Sequence, residues 1–135
     1  MDQFDKMLAK WQPTALSLFR FITGLLLFQY GVAKIFKFPV LPYFANIPPL
    51  ITAAGTLELV LGALLMIGLF TRIAAFILSG EMAFAYFIAH AKHDIISPMM
   101  NQGEPAVLYC FVFLFLAVAG AGAWSVDAAR SAART

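Results

Sequence analysis

Residues 49–91 read PLITAAGTLELVLGALLMIGLFTRIAAFILSGEMAFAYFIAHA, and this stretch decides the fold. It consists of two apolar runs of about 20 residues each, the length that a helix needs to cross the hydrocarbon core of a bilayer. Glu58 and Glu81 are its only acidic residues. The joint GLFTR at 68–72 is too short for a long loop. We therefore expect a tight antiparallel hairpin of two membrane-spanning helices.

Two further apolar runs bring the expected number of spans to four. We predict a single membrane domain over residues 1–135, with spans at residues 14–35, 49–70, 71–91 and 104–123. The connection at 37–50 holds four of the seven prolines and is expected to be non-helical. Unbroken apolar runs lack the alternation of barrel strands. The predicted fold class is therefore all-α, an integral membrane four-helix up-and-down bundle, with Glu104 and Pro105 starting the last helix.

The composition points to the same class of protein. Of the 135 residues, 62% are apolar and only 12% are charged, about half of the roughly 25% that is usual for a soluble domain. The formal net charge is +2. Disordered chains and basic nucleic-acid-binding proteins need far more charge, so both classes are excluded. The expected surroundings are a lipid bilayer, and no nucleic acid partner is expected.

Lysine and arginine residues are distributed unequally between the two ends of the predicted bundle. Six lie toward the end that carries both termini, and three lie toward the opposite end. The six are Lys6, Lys10, Arg20, Arg72, Arg130 and Arg134, and the three are Lys34, Lys37 and Lys92. Because basic residues concentrate on the cytoplasmic side of a membrane, both termini are expected in the cytoplasm.

Ionisable residues inside the spans are the candidates for function, because a charge in hydrocarbon is unfavourable unless it is paired or faces a cavity. Glu58 lies on one helical face with Gly55 and Gly62, and small residues allow a neighbouring helix to come close. Two interpretations are open for Glu58. It is either a largely neutral carboxylic acid that hydrogen-bonds a neighbouring helix, or a proton-handling group in a cavity.

Three other residues also have two interpretations each. His90 either ends a helix at the wet interface or donates a hydrogen bond or a proton to a ligand carbonyl. Lys34 and Arg20 either extend to opposite membrane faces or line the bundle interior. At 100° per residue, both lie on one stripe of the first span with Gly24 and Gly31.

Glu81 does not fit the same pattern. Nine residues separate it from His90, which places the two on opposite sides of a regular α-helix. Depth and phase direct Lys34, Glu58 and His90 toward one outer cavity and leave Glu81 on a different face. Glu81 is therefore expected to pair with Arg20 or to lie at an interface with a second chain.

Several motifs together resemble the DoxX family of small bacterial four-span membrane proteins, over about residues 19–127. They are Arg20, Gly31 and Lys34; Glu58 and Gly62 leading into GLFTRIAA; Ala85 to His90; NQGEPAVLY; and GAGAWSVD. The resemblance implies a bacterial inner membrane protein. It also implies an oxidoreductase subunit related to the DoxX and DoxD components associated with quinone-linked thiosulfate oxidation and with redox defence. By this resemblance, the family's polar motifs match Arg20, Lys34, Glu58, His90, Asn101 and Glu104.

These residues form the predicted site. Glu58 and His90 are the candidates for catalysis. The candidates for ligand binding are Lys34, Arg20, Asn101 and Glu104.

The sequence limits which cofactor such a site can use. No GxGxxG, cysteine cluster or CxxCH occurs, so nicotinamide, flavin, iron–sulfur and c-type haem have no visible ligands. His90 and His93 are three residues apart and cannot clamp opposite faces of a b-type haem iron. Cys110 is the only cysteine, and no metal site is expected. A diffusible quinone suits the chain, because its tail can lie between helices while His90 or Lys34 donates to a carbonyl and Glu58 moves protons.

Two functions of different classes follow from these residues. The first is an oxidoreductase subunit of the DoxX type, acting with a membrane quinone and a soluble redox partner protein. The alternative is a non-catalytic membrane anchor or scaffold that recruits redox enzymes. In either case a homo-oligomer is expected.

Overall fold

A computed structural model describes residues 2–37, 48–90 and 103–134, and every regular element in these ranges is helical. For the side chains of residues 89, 90 and 134, no position is described. The helices are α1 (Asp2–Ala9), α2 (Gln12–Ile35), α3 (Pro49–Ile67), α4 (Thr71–Ala85), α5 (Glu104–Ala119) and α6 (Val126–Arg134). A π-helical segment, Tyr86–His90, continues α4. The short helices α1 and α6 were not expected from the sequence.

Three of the helices are long and apolar enough to cross a membrane. They are Gln12–Ile35, Pro49–Ile67 and the helical stretch Thr71–Ile88, while Glu104–Ala119 is a shorter apolar helix. Many large apolar side chains point outward, among them Phe76, Phe84 and Val118. Such a surface would favour aggregation in water, but it is the surface that lipid chains solvate. The chain is therefore a helical membrane protein that crosses the bilayer more than once.

The helix ends follow from proline and glycine. Proline occupies the first turn of α2, α3 and α5. N–H groups in the first turn have no acceptor within the helix, so the missing N–H of proline costs no hydrogen bond there. The start of α5 at Glu104 confirms the predicted helix start. Helix α3 ends at Ile67, three residues before the predicted boundary, because Gly68 adopts a left-handed conformation with φ 74°. The next helix starts at Thr71, which confirms the tight hairpin.

Helices α2 and α3 pack closely through glycine. A Cβ atom added to Gly31 would lie 2.6 Å from the backbone nitrogen of Leu59, and one added to Gly24 would lie 2.9 Å from the carbonyl oxygen of Gly62. The two backbones are therefore in direct contact. This contact confirms that the predicted glycine stripes face the interior, and it fixes how Lys34 lies against α3.

Helices α4 and α5 form a second closely packed pair. The Ser79 hydroxyl on α4 donates to the carbonyl oxygen of Cys110 on α5 at 2.8 Å. One apolar core joins both pairs, and its fully buried members include Leu27, Leu65, Leu78 and Phe113. Each of these four residues comes from a different helix, so α2, α3, α4 and α5 share a single interior.

Candidate functional site

A buried ion pair joins α2 to α3. The Nζ atom of Lys34 lies 2.8 Å from Oε1 and 2.9 Å from Oε2 of Glu58, so it donates to both carboxylate oxygens. Glu58 is only 3% exposed. Gly55 makes room for the lysine, because a Cβ atom there would lie 2.8 Å from the Cβ atom of Lys34. The glycine packing of α2 and α3 thus positions a lysine against a carboxylate inside apolar surroundings.

This ion pair decides between the two interpretations of Lys34. Lys34 does not extend away from the bundle to the membrane surface; its side chain is 14% exposed and turns inward to α3. Glu58 is bonded to the neighbouring helix α2 as the acceptor of the Lys34 ammonium group, and its largely neutral state stays a prediction. The physical reason is that a lysine stem over Gly55 can follow the helix surface and place its ammonium group beside the acid.

Glu81 adds a second carboxyl group to this pair. Both of its carboxyl oxygens are buried, and no N–H group or hydroxyl among the described residues donates to them. The group lies beside Glu58, within electrostatic range of both Glu58 and Lys34. The expectation that Glu81 faces away from Glu58, or pairs with Arg20, is therefore wrong. We call Lys34, Glu58 and Glu81 the acid–lysine cluster.

Tyrosine rings border the acid–lysine cluster. The Nζ atom of Lys34 lies 5.9 Å from the ring centroid of Tyr30 on α2. Tyr109 on α5 lies within electrostatic range of Tyr30 and stacks on Phe113 with the ring centroids 5.8 Å apart. The backbones of α2 and α5 do not pack as closely as those of the other neighbouring pairs. Tyr30, which is exposed, therefore borders the ammonium group of Lys34 on the side of α2 that is nearest to Tyr109.

Arg20 lies away from this cluster, near the start of α2. Its Nε atom donates to the carbonyl oxygen of Leu65 at 2.8 Å, Nη1 donates to that of Ala121, and Nη2 donates to that of Trp124 at 3.0 Å. Arg20 is 3% exposed. The guanidinium group therefore ties α2 to the end of α3 and to the segment between α5 and α6. All three of these partners are backbone carbonyls.

The remaining predicted site residues are placed only in part. His90 ends the π-helical segment, and its side chain is outside the described positions. Asn101 lies outside the described residues. Glu104 is exposed in the first turn of α5. Of the predicted set, the structure brings Lys34 and Glu58 together and puts Arg20 fourteen residues before Lys34 on α2, away from the cluster. Within the described ranges, no three potential metal-ligating side chains come together.

A groove of about 520 Å³ lies at the Arg20 end, between the start of α4, the end of α5 and α6. Its charged side chains are already engaged. The Arg72 guanidinium donates to the carbonyl oxygens of Ala117 and Val118 at the end of α5. The Asp127 carboxylate accepts hydrogen bonds from the N–H groups of Phe70 at 2.8 Å and Thr71 at 2.9 Å. These contacts close helix ends, so the acid–lysine cluster is the better candidate for chemistry.

The comparisons with known proteins agree with the family resemblance found in the sequence. The sequence model of the DoxX family matches residues 15–91 of the chain. An uncharacterized protein of Haemophilus influenzae is 41% identical over 125 residues, which cover 89% of this chain and 93% of the relative. No solved structure matches the chain. The matched range contains Arg20 and all three members of the acid–lysine cluster.

Proposed function

Because this chain belongs to the DoxX family, we propose that it is a membrane oxidoreductase subunit that acts with a membrane quinone and a soluble redox partner protein. The observation that carries the proposal is the acid–lysine cluster. Lys34 and Glu58 form a buried ion pair, and a second buried carboxyl group, that of Glu81, lies beside it and receives no hydrogen bond from a described N–H group or hydroxyl. Intramembrane acids of this kind are typical of proton-handling sites.

The composition of the cluster supports proton handling. With every group ionised, two carboxylates and one ammonium would leave a net charge of −1 in apolar surroundings. Binding of one proton by the two carboxyl groups removes this charge. We propose that the cluster holds this proton at Glu58 or Glu81 and releases it when the local charge changes. Lys34 keeps the remaining carboxylate ionised.

The same residues fit a quinone head group. A bound quinone is reduced to a quinol by two electrons and two protons. In our proposal the soluble redox partner supplies the two electrons, and the acid–lysine cluster passes on the two protons one after the other, taking up a proton from water after each transfer. The Glu81 carboxyl group, when protonated, and the ammonium group of Lys34 can donate hydrogen bonds to ring oxygens. In our proposal the quinone approaches from the bilayer on the side of α2 where Tyr30 is exposed.

We further propose how the protein lies in the membrane. Helices α2 to α5 each span the bilayer of the bacterial inner membrane in an up-and-down bundle, with both termini in the cytoplasm. Arg20, Arg72 and Arg130 lie at the end of the bundle that carries the termini, as the positive-inside rule requires. In this orientation the acid–lysine cluster lies toward the outer leaflet. The proposed assembly is a homo-oligomer.

Quinone binding by the purified protein tests the proposed function. Full-length protein is reconstituted in liposomes, and a short-tailed ubiquinone analogue is titrated while intrinsic fluorescence is followed. We expect binding that weakens about tenfold in Glu81→Gln, because loss of one buried hydrogen bond is worth about 1–3 kcal/mol. Asp5→Asn is the matched control, since it makes the same change at an exposed carboxylate on α1 and should leave binding unchanged.

Two results would count against this function. One is the absence of saturable binding by a protein that is folded and inserted. The other is equal affinity in wild-type protein, Glu81→Gln and Lys34→Met, which would place any bound quinone elsewhere. In the first case the non-catalytic scaffold becomes the better explanation. Reporter fusions at Thr135 and in the 42–48 connection test the orientation separately.

A further inference from the structure

Helix α1 has an apolar face that nothing in the described chain covers. Its apolar residues Phe4, Met7, Leu8 and Trp11 follow the spacing i, i+3, i+4, i+7, which puts them on one side of a helix that ends in the turn at Trp11. All four are about half exposed, and α1 buries none of its residues. The opposite side carries Asp2, Lys6 and Ala9.

Helix α2 is long enough to cross the hydrocarbon core without α1. The 24 residues of α2 extend about 36 Å, more than the roughly 30 Å of a typical core. The chain between the two helices is only two residues long, and there the N–H of Trp11 donates three residues back to the carbonyl oxygen of Leu8. Pro13 lacks an N–H and breaks the α-helical bonding at this point. The short connection therefore holds α1 next to the membrane. Because the helical hydrogen bonding is interrupted at Pro13, the axis of α1 does not have to continue the axis of α2.

Both tryptophans of the chain lie at this level. The N–H of Trp124 donates to the Ser17 hydroxyl at 2.9 Å, and that of Ala123 donates to the carbonyl oxygen of Pro13 at 3.4 Å, so the segment before α6 lies against the first turns of α2. The side chains of Trp11 and Trp124 are 56% and 74% exposed. Exposed tryptophans at one depth mark the boundary between lipid and water.

We propose that α1 is an in-plane membrane anchor. Its apolar face enters the boundary between headgroups and acyl chains of the leaflet in which α2 begins, level with Trp124. Lys6 and Lys10 remain among the headgroups. An eight-residue helix is only about 12 Å long, and one face of it is far smaller than the 1,000 Å² or so that a stable protein interface buries. A lipid surface needs no such area, because α2 already holds α1 in place.

Spin labelling of the full-length protein in phosphatidylethanolamine and phosphatidylglycerol liposomes tests the anchor. Cys110 is replaced by alanine, and single cysteines are placed by Met7→Cys and Leu8→Cys on the apolar face and by Lys6→Cys and Ala9→Cys on the opposite face. We expect the ratio of collisions with oxygen to collisions with a nickel chelate to be several-fold higher at the first two sites. Equal, high access of the chelate at all four sites would overturn the proposal.

A second measurement leaves Cys110 in place and identifies other occupants. In Trp124→Phe protein, Trp11 is the only tryptophan, and lipid brominated near the headgroup should strongly quench its fluorescence. Absence of quenching, or low access of both oxygen and chelate at Met7 and Leu8, would mean that a second copy of the chain or another protein covers the face. Neither measurement involves quinone, so the outcome is independent of the proposed redox function.

Discussion

Helix α2 buries two cations, Arg20 and Lys34, and their hydrogen-bond partners differ in kind. Arg20 donates to three backbone carbonyls, whereas Lys34 donates to a carboxylate that has a second carboxyl group beside it. Backbone carbonyls accept hydrogen bonds but do not take up protons at ordinary pH, while carboxyl groups do. A buried charge in a membrane helix is therefore not functional by itself. Its partners decide whether the site holds the fold together or can do chemistry.

Removal of Arg20 should produce the largest loss of stability. Arg20→Met removes three hydrogen bonds from a charged donor, each worth about 1.5–3 kcal/mol, and leaves three carbonyls without this partner. We expect the free energy of unfolding to fall by on the order of 5 kcal/mol, measured by SDS titration in dodecylmaltoside micelles. Arg20→Lys should recover only part of this, because an ammonium group cannot reproduce the guanidinium fork.

If the unfolding midpoint of Arg20→Met were unchanged, Arg20 would not hold the fold together, and the contrast between Arg20 and Lys34 would fail. Gln29→Leu serves as control, since Gln29 is an exposed polar residue on the same helix. It should unfold like the wild-type protein.

Because Glu81 lies in the acid–lysine cluster, removal of Lys34 and removal of Glu58 should lower stability by unequal amounts. Lys34→Met leaves two carboxyl groups without their cation and should destabilise the protein by about 3 kcal/mol, the low end for a broken buried pair, because Lys34 is partly exposed. Glu58→Gln should destabilise it by only about 1 kcal/mol, because Glu81 is close enough to become the partner of Lys34. The double variant Glu58→Gln/Glu81→Gln should be as unstable as Lys34→Met.

The same micelle titration decides whether Glu81 belongs to the cluster. If adding Glu81→Gln to Glu58→Gln had no further effect, Lys34 would depend on Glu58 alone, and the proposed proton site would lose its second carboxyl group. Asp5→Asn on the Glu58→Gln background is the matched control.

Much of the helical pattern could be predicted from the sequence. Apolar runs of bilayer length, proline at helix starts and the GLFTR joint predict α2 to α5 closely, because in lipid the backbone has no alternative to internal hydrogen bonding. The exact ends depend on local backbone conformation, as at Gly68. Helix α1 was harder to predict because it consists of only eight residues, five of them charged, polar or alanine, and none of the eight is buried.

Only part of the acid–lysine cluster could be predicted from the sequence. Glycine spacing predicted the faces of α2 and α3, but the position of Glu81 was inferred from its phase relative to His90. That inference assumes a regular α-helix, and the π-helical segment Tyr86–His90, with its wider turns, breaks the assumption. A better signal was present in the hairpin. Glu58 lies eleven residues before Leu69 and Glu81 lies eleven residues after Phe70, so antiparallel helices bring them to equal depth.

A glycine substitution tests whether backbone contact positions Lys34. Gly31→Ala would put a Cβ atom 2.6 Å from the backbone nitrogen of Leu59, so α2 and α3 must separate. We expect a loss of about 1–3 kcal/mol in the free energy of unfolding, typical of overpacking. Gly80→Ala is the matched control, because a Cβ atom there would meet nothing within 4 Å. It should be neutral or slightly stabilising. Equal stability of the two variants would show that the close helix contact does not determine the geometry of the cluster.

The smallest expected effect comes from Asp127, which helps to close the Arg20 end. Its carboxylate accepts the N–H groups of Phe70 and Thr71 at the start of α4, while its own N–H donates to the carbonyl oxygen of Gly68 at 2.9 Å. Asp127→Ala keeps only the last of these bonds, so it should lower stability by about 0.5–2 kcal/mol, as loss of a helix cap does. Hydrogen exchange should locate the effect, with faster exchange of the Phe70 and Thr71 amides and no change near Glu58. If exchange increased around the acid–lysine cluster as well, the two ends of the bundle would be coupled, and the separation between a closed end and a reactive end would not hold.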